Sequence, residues 1–186
     1  MDGLAKELDA LILTGERLIG EAQRAMSFYL VLEPFLQRRG HWSRALGLLE
    51  ARLQAGRGKA PPLIEAHILL QKGQFLTLLA RYSEAEQVLL EGKEKTLLVE
   101  NRHQRRRLEG MLWNSLGAAY QKQGRLQEAE ESLNQSLQIG QELKDKRHMG
   151  VVLNTLGVVY QVQGRLQEAE EALCESIQIG RVLEDK

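Results

Sequence analysis

The chain has a single cysteine, Cys174, and three prolines among its 186 residues. One cysteine cannot form a disulfide within the chain, so a cytoplasmic setting is the simplest interpretation. The scarcity of proline favours a largely helical chain, because proline breaks helix interiors. No run of about 18 apolar residues is present, and no basic stretch followed by an apolar run opens the chain. We therefore expect no membrane-spanning segment and no signal peptide.

The chain also has no net charge at pH 7, counting histidine as neutral. Lysine and arginine together number 25, and so do aspartate and glutamate. Bulk charge therefore gives no reason to expect nucleic acid or an acidic membrane as a partner. The one basic cluster, residues 101–107, lacks interleaved aromatic residues for base stacking. It is either a contact for phosphate or an acidic protein, or a solvated loop and helix start between units, and we favour the second interpretation.

Motifs for catalysis and metal binding are also missing. There is no glycine-rich phosphate loop and no nucleophile elbow. No histidine is paired with a carboxylate or cysteine at metal-ligand spacing. Glutamates at 128–131 and 168–171 fall in the first turn of predicted helices, where the helix dipole favours negative charge. Cys174 has no partner set for nucleophilic chemistry and is expected to be buried between units. The sequence thus predicts a non-enzymatic protein without metal or cofactor.

The most informative property of the sequence is self-similarity. Residues 113–146 and 153–186, offset by 40, are identical at 22 of 34 positions. The shared segment, Leu-Gly-x-x-Tyr-Gln-x-Gln-Gly-Arg-Leu-Gln-Glu-Ala-Glu-Glu, starts at Leu116 and again at Leu156. In each copy one apolar helical stripe ends at a glycine and a second stripe follows, which predicts two antiparallel helices joined by a short turn. Such a unit cannot bury its apolar face alone, so it must stack on neighbours.

Two weaker copies precede these, so we predict an all-α, right-handed superhelical solenoid of about four antiparallel helix pairs. In the second unit, Ser83 and Glu86 have the spacing of a capping box. The predicted organisation starts with an N-terminal helix at 1–22, which is a cap or a remnant unit. A degenerate first unit at 23–64 follows, and then the second, third and fourth units at 65–109, 110–149 and 150–186. We expect the array to be truncated after the fourth unit.

The pattern of residues shared by the last two units resembles the tetratricopeptide repeat. In the third unit they are Trp113, Leu116, Gly117, Tyr120, Gly124, Ala129, Leu133 and Ser136. In the fourth they are Leu153, Leu156, Gly157, Tyr160, Gly164, Ala169, Leu173 and Ser176. Gly117 and Gly157 would leave room for the second helix of each unit. The 40-residue period is similar to that of kinesin light chains, of polarity adaptors, and of bacterial signal-transduction ATPases, in which such arrays form the C-terminal sensor.

The resemblance implies a scaffold that binds a peptide or helix in a concave groove lined by the first helices. The implied groove residues are Asn114, Ala118, Gln121, Lys122, Asn154, Val158, Gln161, Val162, Leu70 and Gln74, with Met111, Val151, His67, Thr77 and Leu78 beside them. An amide both donates and accepts, so Asn114 and Asn154 could hold a peptide backbone. The alternative is that both are copies from a recent duplication, or packing residues. Lys122 is the only cation in this set, so a ligand gripped through a terminal carboxylate is not expected.

Two further hypotheses stay open beside peptide binding. The chain could be the sensor or regulatory module of a larger signalling ATPase or transcriptional regulator. It could also assemble into homo-oligomers through an uncapped end at residues 177–183, because repeat ends without a polar outer face are sticky. Residues 1–22 could themselves fill the groove as an internal ligand.

Overall fold

The computed structural model describes residues 42–56 and 60–184, and all regular structure in these ranges is helical. The helices are α1 (Trp42–Gly56), α2 (Pro62–Leu78), α3 (Tyr82–Thr96), α4 (Arg102–Gln123), α5 (Leu126–Leu143), α6 (Lys146–Val162) and α7 (Leu166–Glu184). The helix predicted over 1–22 and the first helix of the first unit lie outside the described residues. Within the described ranges, no helix combines the length and the apolar character needed to cross a bilayer.

The helices are arranged as stacked pairs. α2 packs on α3, α4 on α5 and α6 on α7, and α1 packs on α2 as the second helix of the unit before. The first helices of neighbouring pairs, α2 with α4 and α4 with α6, also contact each other. Among the described helices, contacts link only elements adjacent in sequence or one apart, which is the pattern of a solenoid. The predicted all-α solenoid is confirmed.

One core runs through helices α2 to α6. Its buried residues are Ala66, Leu70, Leu89, Leu108, Leu112, Leu116, Tyr120, Ala129, Leu133, Val152, Leu156 and Val159. On α4 they recur every four residues, at Leu108, Leu112 and Leu116, which places them on one face of the helix. Each fully buried leucine contributes about 1.5–3 kcal/mol relative to an exposed one. Burial along this stripe therefore holds each first helix between its partner and the neighbouring units.

Glycines set the turn and the close approach inside each pair. Gly124 follows α4 in the left-handed conformation with φ 77°, and Gly164 follows α6 with φ 78°, as predicted. A Cβ added at Gly117 would lie 2.5 Å from Leu133 Cγ and 3.2 Å from a backbone oxygen of α5. Gly157 faces Leu173 Cγ at 2.6 Å in the same way. The expectation that these two glycines make room for the second helix is confirmed.

Two local predictions are wrong. The capping box at Ser83 and Glu86 does not form, because α3 begins at Tyr82 and its N-cap residue is Arg81, without a side-chain cap. The Arg81 guanidinium instead bonds the Glu84 carboxylate at 2.6 Å. Cys174 is exposed rather than buried between units, since it lies on the outer surface of α7.

Candidate functional site

The first helices α2, α4 and α6 form one continuous surface, called the groove below, and this surface contains a pocket of about 260 Å³. The lining residues, which define the groove pocket, are Gln74, Arg107, Met111, Asn114, Asp145, Arg147, His148 and Val151. All belong to a first helix or to the residue that caps one. The pocket thus lies where the sequence places ligand contacts, between neighbouring repeat units.

Four residues that the sequence assigns to the groove meet in this pocket: Gln74, Met111, Asn114 and Val151. The Gln74 amide nitrogen donates to Ser115 Oγ at 3.1 Å, which ties α2 to α4. Val151 is 52% exposed and supplies an accessible apolar wall.

Leu70 requires a correction. It is 2% exposed and belongs to the core, so it offers no surface to a ligand. Its place in the aligned motif is that of Asn114, which is only half-buried and lines the groove pocket.

The remaining groove residues lie outside the pocket. Asn154, Gln161, Lys122 and Val162 are exposed, and Ala118, Gln121 and Val158 are half-buried. The two asparagines of the repeat therefore have different surroundings, because Asn114 faces a neighbouring first helix and Asn154 does not. A pocket of this kind needs two adjoining first helices, and α6 adjoins one only on its α4 side in the described part of the chain.

Two arginines that the motif did not assign to the groove line the pocket. Arg107 is 63% exposed and its Nε lies 3.6 Å from Asp145 Oδ2. Arg147 is exposed at the equivalent position of the next unit. The pocket therefore has two cations beside Lys122, which is the only one in the set implied by the motif. The 40-residue offset between Arg107 and Arg147 was the signal that could have shown that this part of the basic cluster repeats.

Asp145 and His148 shape the rim of the pocket. Asp145 caps α6 by accepting the His148 backbone N–H at 3.0 Å through Oδ1. Ser136 Oγ donates to the Gly110 backbone oxygen at 2.7 Å, so the His148 Nε2–H donates to that same Oγ at 2.8 Å. This assignment leaves His148 Nδ1 unprotonated in the neutral ring. Burial lowers the pKa of His148 and holds the ring neutral.

The Asn114 side chain carries an unused acceptor. Its Oδ1 is buried and has no hydrogen-bond partner among the residues that the structure describes. Leaving such an acceptor unsatisfied costs about 1–3 kcal/mol. A ligand N–H would remove that cost after the half-buried side chain rotates Oδ1 toward the pocket, and the nearby guanidinium groups would attract negative charge.

A different set of polar residues joins each unit to the next and was missed by sequence reasoning. Tyr120 Oη donates to Glu86 at 2.8 Å, and Arg125 Nη1 donates to the same carboxylate at 2.7 Å. Arg125 also stacks on the Tyr120 ring, 4.3 Å from its centroid. The next unit repeats the ion pair between Arg165 and Glu130 at 2.7 Å. Burial and the bond to Glu86 raise the pKa of Tyr120 to about 12. We call each tyrosine–arginine–glutamate set an inter-repeat clamp.

A larger cleft, of about 550 Å³, lies along α5, α6 and α7. Its lining comprises Gln141, Lys144, Lys146, Met149, Glu175, Gln178, Ile179 and Val182. The equivalent place one unit earlier is filled by an ion-paired triad of Arg106, Glu109 and Glu142. Here Met149 and Val182 replace the two glutamates, so the cleft stays open. No residue assigned to the groove by the sequence lines it, and we place the candidate site in the groove.

The comparisons with known proteins agree with this geometry. Residues 108–181 match the tetratricopeptide repeat family. The helix pairs in this range are tetratricopeptide repeats. No curated protein matches the chain at the sequence level. Within the part of the chain that the structure describes, no group of three or more His, Cys, Asp or Glu side chains is placed to hold a metal ion.

Solved tetratricopeptide structures share the fold at low sequence identity. BtubC (BKLC) from P. vanneervenii superposes with a TM-score of 0.70 and 18% identity, over 89% of this chain and 67% of that one. MamA from strain RS-1 gives 0.56 and 15%, over 96% and 97%. YrrB, described as a TPR protein with an unusual peptide-binding site, gives 0.53 and 20%, over 91% and 84%. These likenesses show a shared solenoid architecture.

Proposed function

We propose that this repeat protein is a non-enzymatic interaction scaffold that binds a peptide segment or helix in the groove, with the groove pocket as its main contact. The observation that carries the proposal is the buried Asn114 Oδ1, which lacks a hydrogen-bond donor among the described residues and lies beside an accessible apolar wall. A backbone N–H of the ligand would satisfy this acceptor. YrrB, which shares the fold, is described as having a peptide-binding site, and this supports peptide as the class of ligand.

The charges of the pocket limit the chemical classes of ligand that it could bind. Arg147 is exposed at the pocket. Arg107 also lines it and makes a long ion pair with Asp145, with 3.6 Å between Nε and Oδ2. An acidic side chain on the ligand would pair with these guanidinium groups while an apolar neighbour covers Met111 and Val151. We therefore propose a ligand with an acidic residue close to an apolar one.

The sensor and self-assembly hypotheses stay as alternatives. A cytoplasmic location is proposed because the exposed Cys174 suits a reducing compartment.

The test is selection of linear peptides from a displayed library on the unmodified chain, followed by affinity measurement on variants. Asn114→Ala removes the acceptor and should weaken binding about five- to tenfold. Val151→Glu puts a carboxylate against the arginines and should abolish binding. The matched control is Leu90→Glu on α3, which is similarly exposed but lies on a second helix. Selected peptides that bind Val151→Glu and Leu90→Glu equally well would refute the groove pocket as the site.

A further inference from the structure

The cleft of about 550 Å³ along α5, α6 and α7, called the large cleft below, has a counterpart in each earlier unit. In the second unit, Glu65 in the first turn of α2 pairs with Lys95 in the last turn of α3 at 2.7 Å. In the third unit, Arg106 on α4 pairs with Glu109 at 2.8 Å and with Glu142 near the end of α5 at 2.6 Å. An ion pair thus joins the start of the first helix to the end of the second in both units.

The fourth unit keeps the cation of this contact and loses both carboxylates. Lys146 holds the position of Arg106, 40 residues on, and Met149 and Val182 hold the positions of the two glutamates. Lys146 and the adjoining Lys144 are both exposed at the cleft, and neither makes an ion pair with another described residue. An internally satisfied contact is therefore exchanged for an apolar surface beside two free ammonium groups.

The stacking of a following unit does not fill this place. The cleft of the second unit, of about 270 Å³, shares three equivalent lining positions with the large cleft, namely Glu65, Glu91 and Lys95, which precede Met149, Glu175 and Ile179 by 84 residues. This smaller cleft persists although α4 packs on α3 as the next first helix. The large cleft is therefore open because of its own side chains, and it would stay open if a further helix packed on α7.

The charges of the large cleft lie toward opposite ends. Lys146 begins α6 beside the last turns of α7, as its equivalent on α4 does beside α5. Glu175 precedes Val182 by two helical turns on α7, which is about 10 Å along the axis. Half-buried Met149 and Ile179 supply the apolar surface between the two ends. A ligand anion therefore fits at the lysine end, with a short apolar body directed toward Glu175.

We infer that the large cleft binds a small aliphatic carboxylate. The ligand carboxylate takes the place that Glu142 has in the third unit and pairs with Lys146 and Lys144, while the aliphatic chain covers Met149 and Ile179. A volume of about 550 Å³ bounded by three helices is in the range of small-molecule sites. None of the lining residues belongs to the groove pocket, so this site does not depend on the proposed peptide binding.

The test is titration of the full chain with sodium hexanoate, followed by nuclear magnetic resonance of labelled methionine and isoleucine methyl groups. Hexanoate should shift the signals of Met149 and Ile179 and leave that of Met111, in the groove pocket, unchanged. Hexanol lacks the carboxylate and should bind at least about fivefold more weakly. Acetate lacks the aliphatic body and should bind at least about tenfold more weakly.

Variants of the cleft identify the contacts. Lys146→Gln should weaken hexanoate binding about fivefold, because it removes a charged partner at an exposed site. Arg181→Gln makes the same change of charge on α7 outside the cleft and should leave the dissociation constant within about twofold. Met149→Glu should abolish binding, because it restores beside Lys146 the carboxylate that Glu109 supplies one unit earlier. Met149→Leu keeps the apolar volume and should bind within about twofold of the unmodified chain.

The Met149→Glu variant should fold, since the two preceding units carry glutamate at this position, and circular dichroism checks that it does. The inference is overturned if hexanol binds as tightly as hexanoate, because the lysines would then play no part. It is overturned as well if Met149→Glu binds hexanoate like the unmodified chain, or if Met111 shifts in place of Met149. A Met149 signal that stays constant throughout the titration also overturns it, since the cleft would then be closed or filled by another part of the chain.

Discussion

Replacing Gly117 with alanine tests the close approach on which each repeat is built. The new Cβ would lie 2.5 Å from Leu133 Cγ, 2.8 Å from its Cδ2 and 3.2 Å from the Ala129 backbone oxygen. Leu133 is 0% exposed and has no space into which to move. Overpacking of this kind costs about 1–3 kcal/mol. Alanine recovers up to about 1 kcal/mol of helix propensity. We expect a net loss of about 1–2 kcal/mol in the free energy of unfolding.

Alanine substitutions at two other helical glycines, Gly157 and Gly180, serve as comparisons for Gly117→Ala. Gly157→Ala meets Leu173 Cγ at nearly the same distance, 2.6 Å, but Leu173 on α7 is only half-buried and can shift outward. It should cost less than half as much as Gly117→Ala. Gly180→Ala meets nothing within 4 Å and should stabilise α7, by up to about 1 kcal/mol.

The measurements are urea unfolding followed by circular dichroism and amide hydrogen exchange of α4 and α5. In a protein of this size a loss of 1–2 kcal/mol lowers the melting temperature by about 2–8 °C. Exchange should accelerate in α4 and α5 before α7, because the strain lies between those two helices. If Gly117→Ala stabilises the chain as much as Gly180→Ala does, the tight contact with Leu133 does not exist and the reasoning fails.

Two further predictions concern titration. The pKa of His148 is lowered by burial below its ordinary 6.5, so the folded chain favours the neutral ring and its stability should fall as the pH drops below about 6.5. His148→Gln keeps an N–H donor for Ser136 without titrating, so urea midpoints measured from about pH 8 to about pH 5 should depend less on pH; an unchanged dependence would contradict this. Tyr120 should titrate near pH 12 by ultraviolet difference absorption, and Glu86→Gln should move that pKa part of the way back toward 10, whereas Glu84→Gln should not.

The helix pairs could be predicted from the sequence because their causes are local. Apolar residues at every third or fourth position specify each helix, and Gly124 can adopt the left-handed cap without steric cost. The close approach at Gly117 follows from the missing side chain. The inter-repeat clamps could not be predicted in this way, since Arg125 and Glu86 are 39 residues apart and meet only when two units stack. The clamp recurs with Arg165 and Glu130, which are offset by 40 and 44 residues from Arg125 and Glu86, so the same contact forms at both junctions.

The groove could be predicted only in part. A motif position determines which face of its own helix a residue occupies, but it does not determine which residues of other helices lie beside it. Asn114 and Asn154 hold the same position in their units, yet only Asn114 lines the groove pocket. Leu70 also holds that position and is buried. Arg107 and Arg147 reach the pocket although the motif assigns them no role. Pocket formation thus depends on which helices adjoin, and that information is not contained in a single repeat.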